Sequence, residues 1–239
     1  MQSRLGRSTV RDPTATWEVR RFNGLPYLAT EAGVFVEVAV TVQGVTLTLA
    51  RIGEVLGARW EHIDVPRRVW LLPETKNGKA HQIWLSDFTV AQIERLRAIT
   101  GLTPWLFPAV RAKTGRPDFA DSVCEKTVTK QVGDRQRPGG APMRGRSKLV
   151  DALVLPGGKW TPHDLRRTGA TEMAELGALP DVVDKCMNHV EGKKIKRIYQ
   201  RAQYEAPMRE AWRLWGERLE LLQAQAEGRL SNVVALRSA

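Results

Sequence analysis

The stretch Thr161-Pro-His-Asp-Leu-Arg-Arg-Thr168, with Asn188-His189 and Tyr199 downstream, organises the C-terminal half of this chain. His163 and Arg166 stand three apart, so at the start of a helix both point to one face. Behind them Leu165, Ala170, Met173, Ala174 and Leu176 form an apolar stripe that ends at Gly177, a natural C-cap. Pro180 opens a second, short helix carrying Val182, Val183 and Met187, and His189 follows its end. Lys193-Lys-Ile-Lys-Arg-Ile-Tyr199 then returns a phenol embedded in positive charge. Two histidines, an arginine and a tyrosine at these spacings suit attack on a phosphodiester.

Upstream, the pattern predicts a helix from Leu47 to about Gly57 and a β-hairpin pairing Val69–Leu72 with His81–Leu85 around Asn77-Gly78, a strong turn signal. Ser86 or Asp87 caps a helix through Thr100, stopped by Gly101. Asp121 or Ser122 opens another helix to about Val132. A Pro/Gly-rich loop over residues 133–160 carries Arg135, Arg137, Arg144, Arg146, Lys148 and Lys159. Such a loop is either a solvated surface or a contact to phosphate backbone, which positions DNA without reading its sequence. Ala206–Gln225 reads as a helix with Trp212, Leu214, Trp215, Leu219, Leu221 and Leu222 apolar. In the N-terminal segment Val34, Val36, Val38, Val40 and Val42 alternate with the strand period of two.

A net charge of +11 over 239 residues, with a pI near 10.1, points to a polyanionic partner, of which nucleic acid is the natural one. Basic charge alone also fits a ribosomal or membrane-surface protein. Only Cys124 and Cys186 are present, which argues for a reducing compartment and against a disulfide framework. The longest apolar run is too short and interrupted to span a bilayer, so a cytoplasmic location and no membrane partner are expected. Four histidines, His62, His81, His163 and His189, are scattered with no Cys-x-x-Cys, and no phosphate-binding glycine loop occurs. Neither a metal nor another cofactor is expected.

At these residues the chain resembles the tyrosine recombinases, the phage-integrase family of site-specific DNA recombinases, and most of all those of prophages and genomic islands. The H-x-x-R box corresponds to His163 and Arg166, the following histidine to His189, and the nucleophile to Ile198-Tyr199-Gln-Arg. Arg51-Ile-Gly-Glu54 looks like the first arginine box, and Thr75-Lys-Asn-Gly-Lys79 followed by Ile83-Trp-Leu85 looks like the lysine-bearing hairpin. Five boxes in register over about 150 residues form a strong signal. The resemblance implies an α+β, mainly helical catalytic domain with a small antiparallel β-hairpin or sheet. It further implies double-stranded DNA at attachment sites as partner, in the bacterial nucleoid, and a 3′-phosphotyrosyl intermediate in DNA integration and recombination.

The resemblance implies a role for each residue, and the chemistry of phosphodiester attack says why each residue type suits it. Charge grows on the non-bridging oxygens as a phosphodiester is attacked, and two guanidiniums, Arg51 and Arg166, suit that clamp. Tyr199 would attack phosphorus; a phenol titrates near pH 10 and needs a base or strong positive surroundings. His163 would accept its proton, His189 would hydrogen-bond the phosphate, and Lys76 would protonate the departing 5′ oxygen. Lys79 is the rival lysine and Tyr204 the rival nucleophile. Glu54, three residues after Arg51, would hold that arginine in place.

The expected organisation is an atypical segment over residues 1–45, without a complete core-binding domain, a catalytic domain over 46–225, and a tail over 226–239. The family's DNA clamp ahead of the catalytic domain has no counterpart here, which suggests an N-terminally truncated or rearranged form. Through its C-terminal segment the chain is expected to join a homo-tetramer on DNA. Two further readings compete: a remnant that binds DNA without recombining it, and a helix-turn-helix regulator built on the Leu165–Met187 helix pair. Against the regulator stand His189 and a correctly spaced tyrosine.

Overall fold

The computed structural model describes residues 18–22, 25–29, 44–109, 121–144, 150–189 and 204–226. The valine alternation at residues 34–42, Arg146, Lys148, Tyr199 and the tail after Ala226 lie outside them. Two antiparallel strands, β1 (Glu18–Phe22) and β2 (Leu25–Ala29), pair with Phe22 opposite Leu25. The sequence pattern did not anticipate this hairpin, although Asn23-Gly24 between the strands is itself a turn signal.

The segment expected as one helix from Leu47 to Gly57 is two. A short helix α1 over 44–48 stops at Leu49, whose φ is +48°, and α2 (Ile52–Leu56) restarts after an extended Arg51. The local pattern runs straight through this point, so the break comes from tertiary contacts. The Leu49 side chain fills the space beside Gly169, where an added Cβ would lie 2.2 Å from it. The Leu49 carbonyl turns to accept a hydrogen bond from Arg166. A left-handed leucine costs energy, and it persists because packing on both sides over-determines it.

A turn of 3-10 helix (Trp60–His62) leads into a three-stranded antiparallel sheet of order β3-β4-β5, with β3 at Ile63–Asp64, β4 at Val69–Leu72 and β5 at His81–Trp84. The expected hairpin forms, with Val69 opposite Trp84 and Leu72 opposite His81 and Gly78 in the turn at φ +68°. Helix α3 (Asp87–Thr100) takes Ser86 as N-cap, its Oγ accepting from the Thr89 N–H at 3.2 Å, and Gly101 as C-cap.

Helix α4 runs Glu125–Asp134, later than expected. Residues 121–123 instead extend along Phe107–Ala109: the Val123 N–H donates to the Phe107 carbonyl at 2.9 Å and the Ala109 N–H to the Asp121 carbonyl at 2.8 Å. Edge pairing thus outcompetes the capping propensity of Asp121 and Ser122. Helices α5 (Pro162–Glu175), α6 (Pro180–Cys186) and α7 (Glu205–Ala226) complete the described chain. Trp212 and Trp215 lead the buried face of α7, which packs on α3, α5 and α6. One continuous apolar core includes Leu49, Leu56, Ile83, Val128, Met173, Val182 and Trp212.

Candidate DNA-cleavage site

The H-x-x-R box starts α5. Thr161 is its N-cap, with its N–H and Oγ1 both donating to the Asp164 carboxylate at 2.9 and 2.8 Å. These bonds hold Asp164 below the usual carboxylate range. Pro162 pre-sets the first helical residue. His163 is exposed at this first turn, whereas Arg166, one turn on, is only 3% exposed.

Arg166 is fixed by main chain from two distant places. Its Nη1 donates to the Leu49 carbonyl and its Nη2 to the Met187 carbonyl. The left-handed kink at Leu49 is what aims the first of these carbonyls. Two of the five guanidinium N–H donors are so engaged, leaving others for a ligand. Burial lowers the Arg166 pKa to about 10, helped by the neighbouring Arg51 and opposed by Glu54. The guanidinium stays charged at neutral pH.

Arg51 is the residue just before α2. Its N–H donates to Glu54 Oε2 at 2.8 Å and its Nη1 to Oε1 at 3.0 Å, so one carboxylate caps the helix and pairs with the side chain. Arg51 and Glu54 thus form an ion pair. Glu54 pairs with Arg51 and its charge also reaches Arg166, so two guanidiniums stand near one carboxylate and the balance is positive.

The lysine hairpin is docked at its tip. Asn77 Nδ2 donates to the Asn188 carbonyl at 2.8 Å, and Asn188 Nδ2 donates to Thr75 Oγ1 at 3.0 Å. Thr75 Oγ1 donates in turn to the Lys79 carbonyl at 2.9 Å, closing the turn. Lys76 is exposed between the two pinned residues, and Lys79 is exposed on the return side. Asn188 adopts φ +49°, a conformation asparagine tolerates better than most residues, and so supplies both hairpin contacts. His189 follows it, exposed, with Nδ1 3.1 Å from Asp184 Oδ1. Tyr204, the rival nucleophile, is half-buried against the core just before α7.

His81 belongs to this site, although the sequence reading placed it among scattered histidines. In β5 it is in phase with Ile83 and Leu85, 0% and 3% exposed, so the two-residue period puts its side chain on the core side. That phase was the available signal. Burial pushes its pKa down, opposed by the Cys186 backbone and Glu54 and assisted by Arg166 and Arg51.

The basic loop departs from expectation at its first member. Arg135, expected at the DNA surface, is 1% exposed, with Nη1 donating to the Gln131 carbonyl at 3.0 Å and to Gln131 Oε1 at 2.6 Å. It closes the end of α4 and is not available to a phosphate. Gln136 beside it is also buried and clamps Trp160 through two 2.8 Å bonds, so the loop's start is a packed joint. Arg137 is half-buried, while Arg144 and Lys159 are exposed. Among the described residues no three His, Cys, Asp or Glu side chains converge to hold a metal ion, and no helix is long and apolar enough to cross a membrane.

Known proteins resemble this chain over most of its length. The model of the phage integrase family matches residues 37–206. A model of the Sak single strand annealing proteins also matches residues 6–67, overlapping the first. Prophage integrase IntA of Escherichia coli K12 is 27% identical over 173 residues, covering 72% of this chain and 36% of that protein. The integrase of Shigella phage Sf6 is 24% identical over 196 residues, covering 81% and 44%. The chain therefore spans less than half the length of these relatives. Among solved structures, the integrase from mycobacterium phage Brujita shares the fold with a TM-score of 0.50 at 15% identity, over 75% of this chain and 51% of that one. With the family model covering most of its length, both arginine boxes and the lysine hairpin included, this chain belongs to the phage integrase family.

Proposed function

We propose that this chain carries the strand-transferring half of a site-specific DNA recombinase. The observation that carries the reading is the pairing of Arg51 with buried Arg166 around one carboxylate, Glu54, beside the docked lysine hairpin. A site with two fixed guanidiniums and a single anion has a charge vacancy that a phosphodiester fills. In this reading Tyr199 Oη bonds to phosphorus as the P–O5′ bond breaks. The phenol proton passes to His163, and Lys76 supplies a proton to the leaving 5′ oxygen. His189 hydrogen-bonds a non-bridging oxygen. The product is a 3′-phosphotyrosyl bond that conserves the energy of the original, so rejoining needs no further energy source. DNA integration and excision by a homo-tetramer on paired attachment sites, assembled through the segment after Ala226, belong to the same proposal.

Covalent trapping tests it. Nicked suicide duplexes from the attachment region of the source element are mixed with wild type and Tyr199→Phe and run on denaturing gels. A DNA-linked band present in wild type and lost in the variant, with DNA binding unchanged, is the expected result. An undiminished adduct in Tyr199→Phe removes that residue as nucleophile. Salt-sensitive binding with no adduct in wild type instead favours a chain that binds DNA without cutting it.

A further inference from the structure

One buried polar group of the site has no part in the chemistry above. His81 Nε2 is shielded from solvent and forms no well-aligned hydrogen bond, although the Cys186 backbone lies close enough to interact with the ring. Isolating a polar atom in this way is costly, and a side chain that needed only to fill space would be apolar. The charges reaching His81 are Glu54 from α2, Arg51 just before it and Arg166 from α5, while the backbone of Cys186 faces it from α6. The Cys186 thiol is pushed up to about 12 by burial and carries no charge here.

The contacts converge on three successive residues at the end of α6. Cys186 faces His81, the Met187 carbonyl accepts from Arg166, and Asn188 takes the hairpin tip through Asn77 and Thr75. The lysine hairpin thus meets this short run twice, once at its tip and once at the start of its return strand. Arg166 grips the residue in between. The position of Lys76 relative to the guanidinium pair is therefore set by two supports, and His81 is the one next to the charges.

We propose that His81 is a positioning residue for DNA cleavage, a neutral polar spacer that fixes the lysine hairpin against the Arg51–Arg166 pair without adding a third positive charge. The proposal rests on the recombinase reading given above. A cation at this position would repel both guanidiniums and loosen the geometry they impose on the phosphate. A small apolar residue would keep the strands in the sheet and core but leave the tip contacts of Asn77 and Thr75 as the hairpin's hold on the end of α6.

The test compares His81→Ala, His81→Gln and His81→Lys in the full chain. It follows the rate of adduct formation on a saturating nicked duplex, the Kd for that duplex, and the melting temperature. His81→Ala is expected to slow cleavage by about 10–100-fold, the usual cost of losing a supporting contact, with Kd changed less than about twofold. His81→Gln, neutral and polar, restores most of the rate. His81→Lys fills the space yet is as slow as His81→Ala or slower. Wild-type rates in His81→Ala, or equal rates in the lysine and glutamine variants, overturn the proposal. If His81→Ala does not fold, the lysine–glutamine comparison alone decides. A wild type that forms no Tyr199-dependent adduct removes the recombinase reading itself, and the proposal with it, before any His81 variant is compared.

Discussion

Arg166 and Arg135 are the two buried arginines among the described residues, and they are buried for opposite reasons. Both hand guanidinium N–H groups to main-chain carbonyls, and burial lowers the pKa of both. Beside Arg135 stands Asp134, whose charge opposes that lowering. Beside Arg166 stands another cation, Arg51, with Glu54 shared between the two. Arg135 is an internally balanced structural joint, closing α4 onto its own last turn. Arg166 is held rigidly in a surplus of positive charge, which folding alone gives no reason to build. Burying an arginine therefore says little about function; what else is buried with it says much more.

The largest effect that contrast predicts is for Arg166→Ala. Adduct formation should fall by about 10²–10³, the typical loss of a transition-state charge donor. The orphaned Leu49 and Met187 carbonyls should add a stability loss of ~1–3 kcal/mol, read from urea unfolding. A loss of cleavage under about tenfold in a folded variant would erase the distinction from Arg135.

Next comes Arg135→Met. It is expected to cost on the order of 1–3 kcal/mol in urea unfolding while leaving the salt slope of DNA binding unchanged. Arg144→Ala and Lys159→Ala should do the reverse, each lowering that slope by about one and shifting stability by less than about 0.5 kcal/mol. A flattened slope in Arg135→Met would return that arginine to the DNA surface.

The smallest effect concerns pH. His81 has a pKa below its ordinary 6.5 in the folded chain. As pH falls below 6.5, the unfolded chain takes up a proton that the folded chain refuses. Stability contributed by neutral His81 is thus complete above that pH and is lost as pH falls toward the folded pKa. The groups facing His81 are Arg51, Glu54, Arg166 and the Cys186 backbone. Unfolding midpoints of wild type and His81→Gln should accordingly differ in their acid dependence, the wild type declining more steeply below 6.5. Parallel curves would show that burial does not keep the imidazole neutral.

The sequence by itself determined the parts of this protein that rest on local chemistry. Asn77-Gly78 marks a hairpin turn because Gly78 takes a positive φ that few other residues accept, and the flanking apolar runs mark the two strands. Thr161-Pro162 and Ser86 mark helix starts because capping is decided within one turn. The order of arginine box, lysine hairpin and H-x-x-R box carried the family, since each box holds its meaning in a few adjacent residues.

Only the tertiary structure decided where those residues go. The helix pattern from Leu47 to Gly57 gives no sign of the break at Leu49, because the cause lies at Gly169 and Arg166, far along the chain. Asp121 and Ser122 were overruled as helix caps by pairing with Phe107–Ala109. Arg135 looks like any loop arginine until α4 closes over it. His81 looks idle until β5 turns it toward Arg51 and Arg166. The physical reason is common to all four: local signals are satisfied by near neighbours in sequence, whereas backbone breaks, edge pairing and the surroundings of a buried polar side chain are set by whichever distant segments the core packs beside them.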